Sequence, residues 1–449
     1  MIKSKETIAA VCTPLGDGGV AMIRLSGDQA VEIGNQIFSK DLLTVSSHKL
    51  IYGHFLNLKN EEVDSGLIVK MLSPNSYTGE DVVEIYCHGG RLITQKVLQC
   101  TLDAGATLAK PGEFTQRAYL NQKMDLTQAE AVQSLISAQN EYALKIANKQ
   151  LEGQLSKKIK SIQKKIIDEA AILEAWVDFP EEGIEFCSMD ELKESLEISL
   201  QKIKLLLKTY DQGQAVKNGF TLSLLGAPNV GKSSLMNQLL KKDRAIVTPI
   251  AGTTRDMIEE TLLIDGMAYQ LIDTAGVRDS EDMIEEEGIK RAIQASKSAD
   301  LVLFVLDSSR ELNLREKELI NEVRNQKVLY VCNKCDLKEV LNPNFCHQIK
   351  ISAKSGFGLD ALYQKISEMM LSNIQLDDQV FITEKRHKKS LEEASNCLKN
   401  VIDGLENQMS PEWLTFDLKN VLKNLSNIMG LDITEDILSS IFSKFCIGK

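Results

Sequence analysis

Four short segments, taken in chain order, carry the groups needed to grip a nucleoside triphosphate. Gly226-Ala227-Pro228-Asn229-Val230-Gly231-Lys232-Ser233 fits the pattern G-x-x-x-x-G-K-[ST]. It follows the apolar stretch Phe220 to Leu225 and precedes a helix expected from Ser234 to Leu240. In that setting the glycines let main-chain N–H groups approach phosphates, and the helix N-terminus adds a favourable dipole. Lys232 is placed to neutralise the β- and γ-phosphates, and Ser233 to ligate magnesium. Asp273-Thr274-Ala275-Gly276 ends the next strand; Asp273 would act on magnesium through water, and the Gly276 N–H would sense the γ-phosphate. Asn333-Lys334-Cys335-Asp336 follows a strand expected from Val328 to Cys332. Asp336 can accept two hydrogen bonds from the N1–H and amino group of guanine, which adenine does not offer. A site built on such pairing rejects the wrong base by on the order of 10⁴ or more. Ser352-Ala353-Lys354, after Ile349 to Ile351, fits a loop that buttresses the base. The four segments together specify GTP.

Thr248-Pro249-Ile250-Ala251-Gly252-Thr253-Thr254-Arg255-Asp256 lies between the first two segments. Thr254 or Thr253 is expected to close on magnesium when triphosphate is bound, ordering this loop as a switch. Many regulatory GTPases orient the attacking water with a glutamine just after the Asp-x-x-Gly segment. Here Val277 occupies that place, and the phosphate loop has no arginine to serve as a finger. Asn229 suggests a monovalent cation instead: its side-chain oxygen, with carbonyls of the 248–253 loop, would hold potassium against the phosphates. Glu285, in Glu285-Glu286-Glu287, is a candidate for orienting water, the alternative being three carboxylates on a solvated helix start.

The elements that must position these groups follow from pattern. The chain has 449 residues, 43% apolar and 26% charged, enough for several domains with real cores. Residues 1–122 look mixed α/β, with strands over Val20 to Leu25 and Asp81 to Tyr86, a helix from Asp28 to Phe38 capped by Ser26 or Asp28, a turn at His88-Gly89-Gly90 and a helix from Arg91 to Asp103. Residues 123–217 are helical. Apolar residues from Leu144 through Leu155, Ile166 and Val177 fall at spacings of three and four, one long stripe for packing on another helix. A second helix is expected from Met189 to Tyr210. Residues 218–373 alternate strand and helix, the signature of a mostly parallel sheet, with a hairpin at Asp265-Gly266. Residues 374–449 are helical again, with Ser410-Pro411 and Thr434 as helix starts. The fold class expected is therefore multidomain: a Ras-like α/β P-loop domain inserted in an all-helical domain built from both flanks, after an α+β N-terminal domain.

Composition excludes some functions. The net charge of −11 does not advertise nucleic-acid binding in bulk. Nine cysteines without regular spacing make no disulfide framework. Cys332-Asn333-Lys334-Cys335 lacks a second pair and is explained by the guanine loop rather than by zinc. The longest apolar run, Leu301 to Leu306, is far short of the ~20 residues of a membrane helix, and the N-terminus lacks the pattern of a signal or transit peptide, so a cytosolic place is expected.

The combination of Asn229-Val230-Gly231-Lys232-Ser233, Ala251-Gly252-Thr253-Thr254-Arg255-Asp256, the guanine site, flanking helices and the terminal Phe445-Cys446-Ile447-Gly448-Lys449 resembles the tRNA modification GTPase family MnmE, also called TrmE. Thr13-Pro14, Gly18-Gly19-Val20, Tyr77-Thr78-Gly79-Glu80-Asp81, Cys87-His88-Gly89-Gly90 and Pro111-Gly112-Glu113-Phe114 resemble it too. The resemblance implies a homodimer formed through the N-terminal domains and a partner flavoprotein, MnmG. It implies installation of an aminomethyl or carboxymethylaminomethyl group at carbon 5 of the wobble uridine in certain tRNAs. A folate, 5-formyl- or methylene-tetrahydrofolate, supplies the one-carbon unit. Folate contacts then fall on Arg24, Glu84, Lys123 and Lys449; potassium ligands on Asn229, Thr248, Ile250 and Thr253; magnesium ligands on Ser233 and Thr254; the water-orienting glutamate on Glu285. GTP contacts span Asn229 to Ser234, Thr248 to Thr254, Asp273 to Gly276, Asn333, Lys334, Asp336 and Ser352 to Lys354. Cys446 is needed for modification in the family. From the residues alone, Glu84 is a carboxylate in an apolar strand and needs a partner, which a pterin's N–H groups would supply. The lysines at 157, 158, 160, 164 and 165 lie on a helix, either touching tRNA phosphates or forming a solvated face. Two rival functions are a ribosome-assembly GTPase, against which the missing Gly-x-x-Gly clamp after the G domain argues, and a dynamin-like mechanical GTPase, for which no basic-aromatic membrane face is seen.

Overall fold

The computed structural model describes residues 6–14, 16–178, 188–243, 259–272, 293–341, 345–372 and 379–449. The switch-loop residues Thr248 to Thr254, the segment Asp273 to Gly276, Val277 and Glu285 lie outside the described residues. The chain forms two compact units, one of residues 1–133, 150–202 and 389–449, the other of residues 134–149 and 203–388.

The first unit opens with strands β1 (Ile8–Val11), β2 (Gly18–Ser26), β3 (Ile51–Leu56), β4 (Glu62–Met71), β5 (Val82–Gly89) and β6 (Thr107–Leu108). They make one sheet in the order β3-β4-β5-β2-β1-β6, antiparallel except where β6 joins β1. Side chains alternate across a strand. Ile23, Leu25, Val83 and Ile85 are buried in a core that also takes Val31 and Ile33 of the helix Ala30–Gln36 and Val97 and Cys100 of the helix Arg91–Asp103. The intervening residues Arg24, Glu84 and Tyr86 therefore share the opposite face, with Arg24 directly across from Glu84.

The helical part of this unit joins both flanks. The helix Gln154–Asp178 buries Leu155, Ile159, Ile162, Ile166, Ala170 and Leu173. Gln163 Nε2 donates to Ser426 Oγ at 2.9 Å, and Lys419 pairs with Glu174 at 3.0 Å, which ties this helix to the helix Pro411–Met429. The segments before and after the nucleotide-binding segments thus meet in one core, as insertion requires.

The second unit holds strands β7 (Phe220–Leu225), β8 (Glu259–Ile264), β9 (Met267–Ile272), β10 (Leu301–Asp307), β11 (Val328–Asn333) and β12 (Gln348–Lys350) in the order β12-β11-β10-β7-β9-β8. All pairs are parallel except the β8–β9 hairpin at the edge. Every residue of β10 is buried, which is why Leu301 to Leu306 reads as an unbroken apolar run: a central parallel strand is covered on both faces.

Several local expectations are corrected. The first helix begins at Ala30, and neither Ser26 nor Asp28 caps it; Ser26 Oγ is instead 2.7 Å from both Thr78 Oγ1 and Glu80 Oε2. His88 and Gly89 continue β5, and only Gly90 turns into the next helix. The expected long stripe is interrupted: one helix ends at Leu151 and the next starts at Gln154, with the Gly153 N–H bonded back to Gln150 O. Ala143 and Ile146 before this break join the core of the second unit, whereas the residues after it serve the first. The helix expected to end at Tyr210 runs to Asn218. Thr434 stands at the start of the last helix, Glu435–Phe442, but its side chain makes no capping bond. Among the described residues no helix is long and apolar enough to cross a membrane, and no cluster of His, Cys, Asp or Glu is placed to hold a metal, Cys332 and Cys335 included.

Candidate active site

The carboxyl ends of β7, β10, β11 and β12 lie side by side in the second sheet, so the loops leaving them converge. That edge, beside the point where strand order reverses, is where open α/β sheets take ligands. The loop after β7 carries Gly226 to Ser233 into the helix Lys232–Asp243, whose first backbone bond runs from the Leu235 N–H to Gly231 O. Asn229 has φ of 61°, a left-handed conformation that asparagine tolerates better than most residues. Its side chain is exposed. Lys232 Nζ donates to Gly226 O and Ala227 O at 2.9 and 2.8 Å, so the ammonium folds back across the loop that precedes it. Ser233 and Ser234 stand exposed in the first turn of the helix.

Asn333 connects this loop to the base-recognition loops. Its side chain is buried, Nδ2 donates to Val230 O at 2.8 Å, and Oδ1 accepts from the Ala353 N–H at 2.9 Å. Its own carbonyl accepts from the Ser308 N–H at 2.8 Å. One side chain therefore fixes the phosphate loop against the Ser352-Ala353-Lys354 loop. Gly231 is required beside it: φ is 97°, and a Cβ there would stand 2.3 Å from Asn333 Nδ2. A second backbone tie, from the Cys335 N–H to Ile351 O at 3.1 Å, joins the two base-recognition segments.

Lys334, also left-handed at φ of 64°, places Nζ 2.5 Å from Asp307 Oδ2. Burial pushes the Asp307 carboxyl up, but hydrogen bonds from Lys334 and Ser309 outweigh it and hold the group below the usual carboxylate range. Asp336 is exposed, free to face a ligand, and is held below its ordinary value first by a hydrogen bond from Ser352 and further by Lys354 and Lys334. An ionised Asp336 is the form that accepts two donors. Asp307 was missed by motif reading; the signal available was an aspartate ending a fully apolar strand.

The first unit has a second cluster on the outer face of its sheet. Arg24 Nε and Nη2 meet Glu84 Oε1 at 2.9 and 2.8 Å, with both side chains largely buried. Tyr86 OH donates to Glu84 Oε2 at 2.6 Å. Burial, and then the Glu84 carboxylate it donates to, push the Tyr86 phenol up to about 12. The Arg24 guanidinium lies over the rings of Tyr77 and Phe114, 5.1 and 5.7 Å from their centroids. Glu84 therefore has partners within the protein, Arg24 on Oε1 and Tyr86 on Oε2. Arg24 Nη1 is the donor left without a protein partner among the described residues.

The chain's end comes to the same strands. Cys12 Sγ donates to Gly448 O at 3.1 Å. A Cβ on Gly448, where φ is 90°, would stand 2.4 Å from Val11 O, so only glycine allows this approach. The Gly112 N–H bonds Cys446 O at 3.4 Å. Burial raises the Cys12 thiol above its ordinary value, with Arg24 and Lys449 acting against it. Both cations thus act on the Cys12 thiol through their charge, while Cys446 is exposed. The Lys123 ammonium bonds Pro74 O at 2.9 Å, near the turn that carries Tyr77.

Comparison with known proteins agrees over the full chain. The MnmE helical domain family is matched over residues 126–446, and the family described as GTP-binding protein TrmE N-terminus over residues 7–123. The tRNA modification GTPase MnmE of Protochlamydia amoebophila (strain UWE25) is 48% identical, with 99% of this chain and 98% of that protein covered. The proteins of the same name from Lachnoclostridium phytofermentans and Ligilactobacillus salivarius are each 41% identical, with 99% of this chain and 99% and 98% of their lengths covered.

Replacing Asn333 by alanine strands Val230 O and the Ala353 N–H, each a loss of about 1–3 kcal/mol when a buried group is left unpaired. If about half of the combined loss falls on nucleotide binding, about 1.4–2.8 kcal/mol, GDP and GTP affinity is expected to fall roughly 10- to 100-fold at about 1.4 kcal/mol per decade. Titration of the full chain with a fluorescent guanine nucleotide checks this; an unchanged affinity would mean that Asn333 does not shape the site.

Proposed function

The chain belongs to the MnmE family of tRNA modification GTPases, and on that premise we propose that it hydrolyses GTP with the help of potassium and, with the flavoprotein MnmG, installs an aminomethyl or carboxymethylaminomethyl group at C5 of the wobble uridine in certain tRNAs, using a folate as one-carbon donor. The observation that carries the folate part of the reading is the docking of Gly448 on β1 and Cys12 beside the Arg24–Glu84 pair. Gly448 packs on Val11 and accepts from Cys12 Sγ, at the end of the strand that pairs with the one carrying Arg24.

The residues present suit a folate. Arg24 keeps Nη1 for a carbonyl or carboxylate, and Tyr77 and Phe114 flank it as flat apolar surfaces. Glu84 Oε2 takes the Tyr86 hydroxyl and retains a second lone pair for a pterin N–H. Lys449 adds a cation for carboxylates. A bound folate supplies the one-carbon unit; the chain's part is to hold it, and to keep Cys446 exposed nearby on the docked tail.

In the nucleotide site, Lys232 would offset phosphate charge and Ser233, exposed in the first turn of its helix, would ligate magnesium. Asn229 would ligate potassium; its amide oxygen is uncommitted among the described residues. Thr248, Ile250, Thr253 and Thr254 would complete the two ion sites, and Glu285 would orient the water; all five lie outside the described residues. A cation against the phosphates fills the place an arginine takes in other GTPases. A homodimer through the N-terminal domains is supported by Val20, Leu50, Tyr52 and Leu67, apolar side chains exposed along a groove of about 700 Å³ on the sheet's outer face.

Mass spectrometry of tRNA nucleosides from cells lacking this protein is expected to show loss of the modified wobble uridines; unchanged uridines would refute the modification role. GTP turnover by the purified chain is expected to rise at least about tenfold in potassium over sodium, the scale of replacing one well-placed charge at the transition state. Equal rates in the two salts would remove Asn229 as a cation ligand.

A further inference from the structure

The helix Gln154–Asp178 carries Lys157, Lys158, Lys160, Lys164 and Lys165 within its first half, and between Glu152 and Asp168 the chain has no acidic residue. All five lysines are exposed. Leu155, Ile159, Ile162 and Ile166, which flank and interleave them in sequence, are buried on the other side of the same turns. At 3.6 residues per turn, Lys157, Lys160 and Lys164 form one row, and Lys158 and Lys165 a second row beside it. The strip is ~12 Å long at 1.5 Å per residue.

This arrangement costs stability. Like charges three and four residues apart on a helix repel. Carboxylates at those spacings would relieve the repulsion, and the protein has them in surplus, with a net charge of −11. Elsewhere on the same helix the pairing is made, Glu174 with Lys419 at 3.0 Å. None of the five lysines lies within ion-pair distance of a carboxylate among the described residues; Lys165 feels the buried Glu169 only as a longer-range attraction. A solvated face in this acidic chain would be mixed in sign. A face of one sign, kept free of local partners, is complementary to a polyanion.

We propose that the Lys157–Lys165 strip of this helix is a docking surface for the phosphate backbone of the tRNA. The inference rests on the tRNA-modifying role proposed above and adds where the RNA is gripped. Lysines act on phosphates as point charges and carry no base specificity, so the strip would anchor the tRNA body and leave selection of the wobble base to other groups.

The test is the triple substitution Lys157→Gln, Lys160→Gln and Lys164→Gln in the full chain, beside a control triple of exposed lysines elsewhere, Lys40→Gln, Lys59→Gln and Lys96→Gln. Binding to transcribed tRNA is measured at several salt concentrations, and GTP turnover is measured as the check on folding. The strip variant is expected to bind tRNA about tenfold or more weakly, and its plot of log affinity against log salt to flatten by about 0.7 to 0.9 for each phosphate no longer neutralised. The control should keep the affinity and slope of the unaltered chain, and both variants should hydrolyse GTP normally. Unaltered tRNA binding by the strip variant overturns the proposal and leaves the strip to some other partner. An equal loss in the control triple also overturns it, as a net-charge effect. If the unaltered chain binds no tRNA, the wider tRNA reading falls with it, an outcome separate from the other two.

Discussion

One side-chain amide holds the nucleotide site together. Asn333 leaves the end of a buried parallel strand, donates to the phosphate loop at Val230 and accepts from the base-side loop at Ala353. Both hydrogen bonds are buried, and an unpaired buried amide group costs more than a made bond returns. The two loops therefore cannot drift apart without stranding polar atoms. The rest of the second sheet serves this constraint. β10 separates β7 from β11 and sets the spacing between phosphate loop and base loop, and its last residue, Asp307, fixes the Lys334 ammonium. The exposed Asp336 is left as the group that can discriminate among bases.

The N-terminal cluster uses a similar principle with charge. Arg24 and Glu84 are register partners on adjacent strands and nearly buried, so each must have a partner or carry a large desolvation cost. Pairing each other and Tyr86 meets that need and leaves the Arg24 Nη1 amino group uncommitted among the described residues. The ligand-directed groups of both sites are thus what remains after internal pairing is complete. The C-terminus adds the last residues through a glycine approach that any side chain would block.

Much of this was legible in the sequence where the determinants are contiguous. The phosphate loop, the hairpin at Asp265-Gly266 and the helix over Arg91–Asp103 are local patterns and appear where expected. The role of Asn333 was legible only in part. Its motif marks a guanine loop, but the partners Val230 and Ala353 follow from strand order, which spacing does not state. Ser26 shows the opposite failure. It looks like a helix cap, yet Thr78 and Glu80 from a distant loop take its hydroxyl, so tertiary pairing overrides a local rule. Glu84 was rightly read as a carboxylate in need of a partner. That Arg24 is the partner depends on the β2–β5 register, sixty residues apart in the chain. The break at Gly153 was hidden because the apolar spacing continues through it, although the two sides feed different cores.

The guanine site proposed for this chain is assembled by Asn333 and read by Asp336. Direct titration of the purified full chain with GTP and with ATP in magnesium buffer tests it most closely. GTP should bind on the order of 10⁴-fold more tightly than ATP, the scale of discrimination when a polar site loses its partners. Comparable affinities for the two nucleotides would contradict it.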